Sequence, residues 1–426
     1  MAAPEALKKE VASAIDAMRT ELLALSHAIH GEPELALEEY KSAARLESAV
    51  ESQNIPVQKG AFGLETAYVA EFGGARGPNI AILSEYDALP GVGHACGHNI
   101  IATSGLGAAM ALAKLGGKLP GRVRYLGTPA EERHGGKELM AREGAFDGTD
   151  AAMMIHPSNV NLITMPCIAI SEVEVTYHGR AAHASAMPYR GLNALDAVVS
   201  AYQSIAQLRQ HIKGSERIHG IITEGGMAAN IVPERASCRF YVRAADIHEL
   251  VPLKARVQAC FEAGALSTGC RAEIKWGKSD YLDLKTNWPM AESFRQNAQA
   301  LGREFVALDS LPPGYAGSTD MGNISHRVPS IHPMLAVAPA GVIIHNAEFA
   351  RWAASDKGDQ AVIDGAKALA FTALDLMADP AMLQSARADF EATAEISKSA
   401  LAKSLENVPH SHAHGHHHGH GGCGCA

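Results

Sequence analysis

Glu85-Tyr-Asp-Ala-Leu-Pro-Gly-Val-Gly-His-Ala-Cys-Gly-His-Asn99 is the stretch from which the fold can be read. It is a glycine-rich turn that sets a thiol, Cys96, and an imidazole, His98, two residues apart. The run before it, Asn79-Ile-Ala-Ile-Leu-Ser84, is short, apolar and β-branched, which predicts a buried parallel strand. The run after it, Ile100 to Leu115, is rich in Ala, Leu and Met and predicts a packed helix. Strand, turn and helix in that order put Cys96 and His98 at the carboxyl end of a strand, where open α/β sheets gather their ligands. Both are metal-ligand types. The two-residue spacing by itself also fits a cysteine that is only a small core residue.

Related chemistry follows at later strand ends. Arg122-Val-Arg-Tyr-Leu-Gly-Thr128 reads as a strand and runs into Pro129-Ala-Glu131-Glu132. Ala151-Ala-Met-Met-Ile155 is a third apolar run, ended by His156-Pro157, and Gly341-Val-Ile-Ile344 reads as a strand leading into His345. A single histidine after a strand is an ordinary structural residue. Cys96, His98, Glu132, His156 and His345 together mix thiolate, imidazole and carboxylate, and fit a site for two divalent cations.

On these motifs the chain resembles the M20 metallopeptidase family, in the amidohydrolase branch that uses a cysteine ligand. Ser84 to His98 is most similar to the aminobenzoyl-glutamate hydrolase B-subunit and related dipeptidases, and Gly317-Ser-Thr-Asp-Met-Gly-Asn-Ile-Ser325 supports that subgroup. The resemblance spans roughly residues 10–380. The wider clan's His-x-Asp motif reads Glu85-Tyr86-Asp87 here, as the cysteine branch implies.

The resemblance implies an α/β dimetal peptidase catalytic domain with an inserted α+β lid and dimerisation domain. It implies hydrolysis of an amide bond in an N-acyl amino acid, an aminobenzoyl-glutamate-like molecule or a dipeptide. Cys96 would bridge two divalent cations, Zn or Mn with Co also compatible, and His98, Glu132, His156 and His345 would complete their shells. Glu131 would be the general base for the attacking water. The order of the two glutamates, base then ligand, rests on the resemblance, because an adjacent pair alone reads as solvated. Asp87 would orient a ligand imidazole from behind, and a turn-forming Asp before Ala-Leu-Pro is the alternative.

Length and composition agree with two domains. At 426 residues the chain exceeds what one core usually serves, and 47% hydrophobic residues suffice for burial. Lys plus Arg against Asp plus Glu is 37 − 46 = −9, with no basic stripe, which argues against nucleic acid. The amino terminus is polar, and no run of about twenty apolar residues predicts a membrane span. Seven scattered cysteines form no disulfide framework, so a reducing cytoplasm is the expected setting.

The pattern changes near residue 170. Strand–helix alternation gives way to Glu172-Val-Glu-Val-Thr-Tyr-His178, which alternates as a half-exposed antiparallel strand does. An amphipathic helix at 191–208, strands around 217–223 and 235–243, a helix at about 248–265 and a strand at 271–276 complete the insert. The expected organisation is catalytic residues 1–169, a lid at 170–283, catalytic residues 284–405 and a tail at 406–426.

Within the lid, the resemblance implies that His183 reaches a partner subunit's site to steady an oxyanion, and that Asn230 binds the substrate's carboxylate or carbonyl. By type alone, His183 reads as a packed or surface residue and Asn230 as a turn former. Arg243 can pair with a substrate carboxylate, or lie on a solvated face. A homodimer through the lid is expected, and a heteromer with a related subunit stays open. The tail, from Val408 to Ala426, is dense in His and Gly and carries Cys423-Gly-Cys425, a composition that binds metals and builds no core. The rival reading of the whole chain is a metal-storage protein on a dead hydrolase scaffold. Intact Glu131, Glu132 and five ligand candidates argue against it.

Overall fold

The structure is a computed structural model and describes residues 5–312 and 314–406. The histidine-rich tail lies outside the described residues. Among the described residues no helix is long and apolar enough to cross a membrane.

Twelve strands are present among the described residues: β1 Gln58–Lys59, β2 Tyr68–Gly73, β3 Asn79–Ser84, β4 Arg122–Gly127, β5 Ala151–Met153, β6 His156–Ser158, β7 Ala169–His178, β8 Arg217–Glu224, β9 Arg235–Ala244, β10 Arg271–Trp276, β11 Ser330–Ile331 and β12 Met334–Ala336. Six of them form one sheet in the order β1-β2-β4-β3-β5-β11. The four central to the argument, β4, β3, β5 and β11, run parallel. β3 is buried at all six positions, so its uninterrupted apolar run has no solvent face to pattern. From β3 the chain moves to β4 on one side, and then returns past β3 to β5 on the other. Such a reversal opens a crevice at the carboxyl ends of the strands, and the residues after β3, β4 and β5 face it.

The helix after the Gly-rich turn spans His98–Ala113 and is buried on nearly its whole surface, packed between β3 and the helix Asp356–Ala378. Gly97 before it sits at φ +81°, and a Cβ there would come within 2.5 Å of Pro157 Cγ. Glycine is what lets Cys96 and His98 approach the strand end carrying His156.

β10, β7, β9 and β8 form a second, antiparallel sheet, with β8 at its edge. Buried residues of β7 and β9 alternate with outward ones, and the buried set packs against helices Ala194–Leu208 and Ile247–Thr268. This α+β unit has its own core of residues such as Val173, Tyr177, Val198, Phe240 and Phe261. It is inserted between β6 and β11 of an α/β unit, which is the expected fold class. The last helix, Ala394–Glu406, adds Ala400 to the lid's core. Five cysteines, at 96, 167, 238, 260 and 270, are unpaired.

One strand reading is corrected. Residues 341–344 form no strand: the chain turns over 339–342, closed by the Val342 N–H donating to the Pro339 carbonyl, and runs on irregularly to His345. An apolar run of four residues cannot by itself distinguish a strand from a packed turn. His345 follows at φ +67°, held by its N–H on the Ala95 carbonyl at 2.8 Å.

Candidate metal centre

The crevice brings together Cys96, His98, Glu131, Glu132, His156 and His345, from four separate segments of chain. Cys96 Sγ lies 3.3 Å from His156 Nε2 and 3.4 Å from His345 Nε2. His345 Nε2 is 3.7 Å and His98 Nε2 3.8 Å from Glu132 Oε1. Ligand atoms group within 4.8 Å of one another as Cys96/His98/His156 and as Cys96/Glu132/His345. The two groups share one atom, the sulfur of Cys96, and each has the donor types that would hold a divalent cation. Glu85, His98 and Glu131 make a third group.

Two of the three imidazoles are held at Nδ1 so that Nε2 faces the cluster. His156 Nδ1 donates to the Pro157 carbonyl at 2.7 Å, and His98 Nδ1 to Asp87 Oδ1 at 3.1 Å. The other Asp87 oxygen accepts the Glu132 backbone N–H at 2.9 Å. His98 Nε2, Glu132 Oε1 and Glu85 Oε1 are buried without a hydrogen-bond partner. Unpaired acceptors and carboxylates converging in a dry pocket are what divalent cations satisfy, so the donor set fits them. The electrostatics agree. Burial, with Glu85 and Glu132 nearby, pushes the Glu131 carboxyl well above the carboxylate range, and burial pushes Glu132 up to about 7. Burial also lowers His156 to about 4, which keeps a lone pair available.

Behind the cluster is a buried ion triad that sequence reading missed. Lys137 Nζ donates to Glu85 Oε2 at 2.5 Å and to Asp320 Oδ1 at 2.7 Å, with none of the three side chains exposed. Glu85 and Asp320 stand inside recognisable motifs, but nothing local marks Lys137 as anything but a solvated helix residue. His332 was also missed. It is fully buried, with both ring nitrogens unpartnered and its ring 5.4 Å from that of His156.

Two cavities of about 480 and 640 Å³ meet at Glu131, Glu132, Arg243, Ser318 and His345, residues common to both. Arg243 donates to Ser318 Oγ at 3.0 Å and to His219 Nε2 at 3.3 Å. Ile168, Gly317 and Ser318 wall the smaller cavity. His183 and Asn230 line neither cavity. Both are exposed on the lid, next to each other, with Ala184 N–H donating to the Asn230 carbonyl and His183 Nδ1 accepting from the Ala186 backbone.

Residues 81–373 match the model of peptidase family M20/M25/M40. The chain is 40% identical over 401 residues to the Xaa-Arg dipeptidase of Mus musculus, covering 91% of this chain and 93% of that protein. It is 29% identical over 443 residues to the p-aminobenzoyl-glutamate hydrolase B-subunit of Escherichia coli (strain K12), covering 87% and 92%. Among solved structures, a dinuclear metal-binding peptidase from Bacillus subtilis shares the fold, with a TM-score of 0.62 at 21% identity over 85% of this chain and 99% of that one. With a family model matching more than half its length and a relative of 40% identity matching end to end, this chain belongs to the M20/M25/M40 peptidase family and is a hydrolytic enzyme.

Proposed function

We propose that the chain hydrolyses the amide bond of a dipeptide or N-acyl amino acid and releases a free amino acid. The observation that carries this reading is the pair of three-ligand groups sharing Cys96, with Glu131 beside them, between two cavities that meet at Arg243. Cations held by Cys96, His98 and His156 and by Cys96, Glu132 and His345 would acidify a water and polarise the scissile carbonyl. Zn suits the thiolate and imidazoles, and Mn or Co suits the carboxylate. Glu131, 4.0 Å from His98 Nε2 and in none of the groups built on Cys96, takes the water's proton and returns it to the leaving nitrogen. Asp87 holds the His98 ring, and Arg243 receives the substrate carboxylate.

The names of the relatives support dipeptides ending in arginine, or aminobenzoyl-glutamate and similar amides, as the substrates to try first. The working unit is read as catalytic residues 1–169 and 284–405 with a lid at 170–283, paired as a homodimer through the lid. Edge strand β8 with exposed Ile221 and Ile222 supports that pairing, as do His183 and Asn230 lying away from their own chain's cavities. A related second subunit is the alternative partner, since the bacterial relative is itself called a subunit. A reducing cytoplasm suits the Cys96 ligand, and the His-rich tail is read as a metal store for this centre.

The test is to reconstitute the protein with metal and offer Xaa-Arg dipeptides, aminobenzoyl-glutamate and N-acetyl amino acids, reading products by mass spectrometry. Chelator-sensitive release of one amino acid is the expected result. Two bound metals with no release from any substrate would overturn the reading.

A further inference from the structure

The peptide unit between Glu131 and Glu132 joins the proposed base to a proposed ligand, and both of its polar atoms are clamped. The Glu132 N–H donates to Asp87 Oδ2 at 2.9 Å. The Glu131 carbonyl accepts the phenol O–H of Tyr281 at 2.5 Å. One side chain leaves the chain just before this plane and the other just after it. Their relative direction is therefore set by how the plane is held.

The clamp from Asp87 comes from the same turn as the metal ligands, whereas Tyr281 comes from far away. It lies between the end of β10 at Trp276 and the helix Trp288–Ala300, on the segment that brings the chain back from the lid sheet. That segment is fixed in turn. Tyr281 exchanges two backbone hydrogen bonds with Ile170, at 3.0 Å each, where the chain first enters the lid sheet.

The contact with the base loop is close and extended. Ser279 donates its hydroxyl to the His134 carbonyl at 2.7 Å. A Cβ on Gly135, which sits at φ +69°, would come within 2.8 Å of the Tyr281 ring. The loop also carries two non-glycine residues in the left-handed region, Ala130 at φ +64° and His134 at φ +79°. Such conformations persist only where surrounding contacts over-determine them.

We propose that Tyr281 is a positioning residue for the hydrolysis: by fixing the Glu131 carbonyl it aims the Glu131 carboxylate at the water it deprotonates. The inference rests on the reading of Glu131 as the base. Tyr281 donates no proton in the reaction and touches none of the reacting atoms in this role. The hydroxyl is the working group, and the ring only fills space.

Tyr281→Phe in the full-length, metal-loaded enzyme is the test. The expected result is a roughly tenfold fall in kcat, about 1.4 kcal/mol of barrier, with KM within twofold of the parent. Metal content and melting temperature stay unchanged, and the solvent deuterium isotope effect on kcat rises. Ser279→Ala, which releases the loop three residues further on, leaves kcat unchanged. p-Aminophenylalanine at position 281 restores a donor and recovers most of the rate. Parental kcat in Tyr281→Phe overturns the proposal, and so does a loss accounted for wholly by lost metal. Full turnover in Glu131→Gln would instead overturn the base assignment, so the two failures are read separately. Should Tyr281→Phe not fold, the p-aminophenylalanine enzyme decides: most of the parental kcat with a parental KM is expected, and a tenfold fall in kcat overturns the proposal.

Discussion

Glu131 and Lys137 lie six positions apart and do opposite electrostatic work. Glu131 is a carboxylate with little to neutralise it but the cations the site would hold. On the proposed reading Glu131→Gln keeps the ligands and loses the proton carrier, so metal content by mass spectrometry stays at the parental level while kcat drops at least about a hundredfold. Lys137 is a cation with two carboxylates and no exposure to solvent. Lys137→Met leaves Glu85 and Asp320 buried and unpaired, which destabilises the fold by about 3–5 kcal/mol in urea unfolding. The first of these residues was legible only through the family resemblance, because an adjacent pair of glutamates by itself reads as solvated. The second was not, because its partner Asp320 is 183 positions away. Tyr281 was hidden for the same reason, since a phenol aimed at a backbone carbonyl leaves no mark in either segment.

Among the elements, the strand-to-helix junction at Gly97 tolerates little change. Gly97→Ala adds a methyl group against Pro157 at an unfavourable φ. The helix start and the strand end must then separate, and Cys96 and His156 separate with them. We expect metal affinity to fall at least tenfold in titration with a chromophoric chelator, with the helical circular dichroism retained. The alternating lid strand was readable from its period, and the buried strand and the helix after it from their unbroken apolar runs on either side of the Gly-rich turn. The irregular stretch at 341–344 was not, because four apolar residues carry no period at all. Nor does periodicity show that the last helix docks on the lid, because helix patterning reports which face is apolar and not which core receives it.

For the whole molecule, two measurements follow from the proposed assembly. If the lid of one subunit serves the site of another, mixing His183→Ala with Glu131→Gln protein restores activity to about a quarter of the parental value after subunit exchange. No recovery from mixtures shown by sedimentation to be dimeric would count against the shared site. Metal removal also acts on stability. Cations at a hundred times their dissociation constant add about 2.7 kcal/mol per site, so excess chelator lowers the melting temperature by several degrees, and repletion restores it.

His345 reaches the cluster from 249 residues beyond Cys96, on the far side of the entire lid. On a ribosome adding about 5–20 residues per second, that separation is roughly 10–50 seconds of synthesis. Once His156 has been made the nascent chain carries its thiol, two imidazoles and paired carboxylates, with His345 still 345 − 156 = 189 residues away. The whole insert has to be synthesised before translation can supply that residue. Loading of the centre is therefore a late event in the life of each molecule, and a message truncated anywhere within the lid yields a polypeptide whose sulfur is open to oxidants and to the wrong ion.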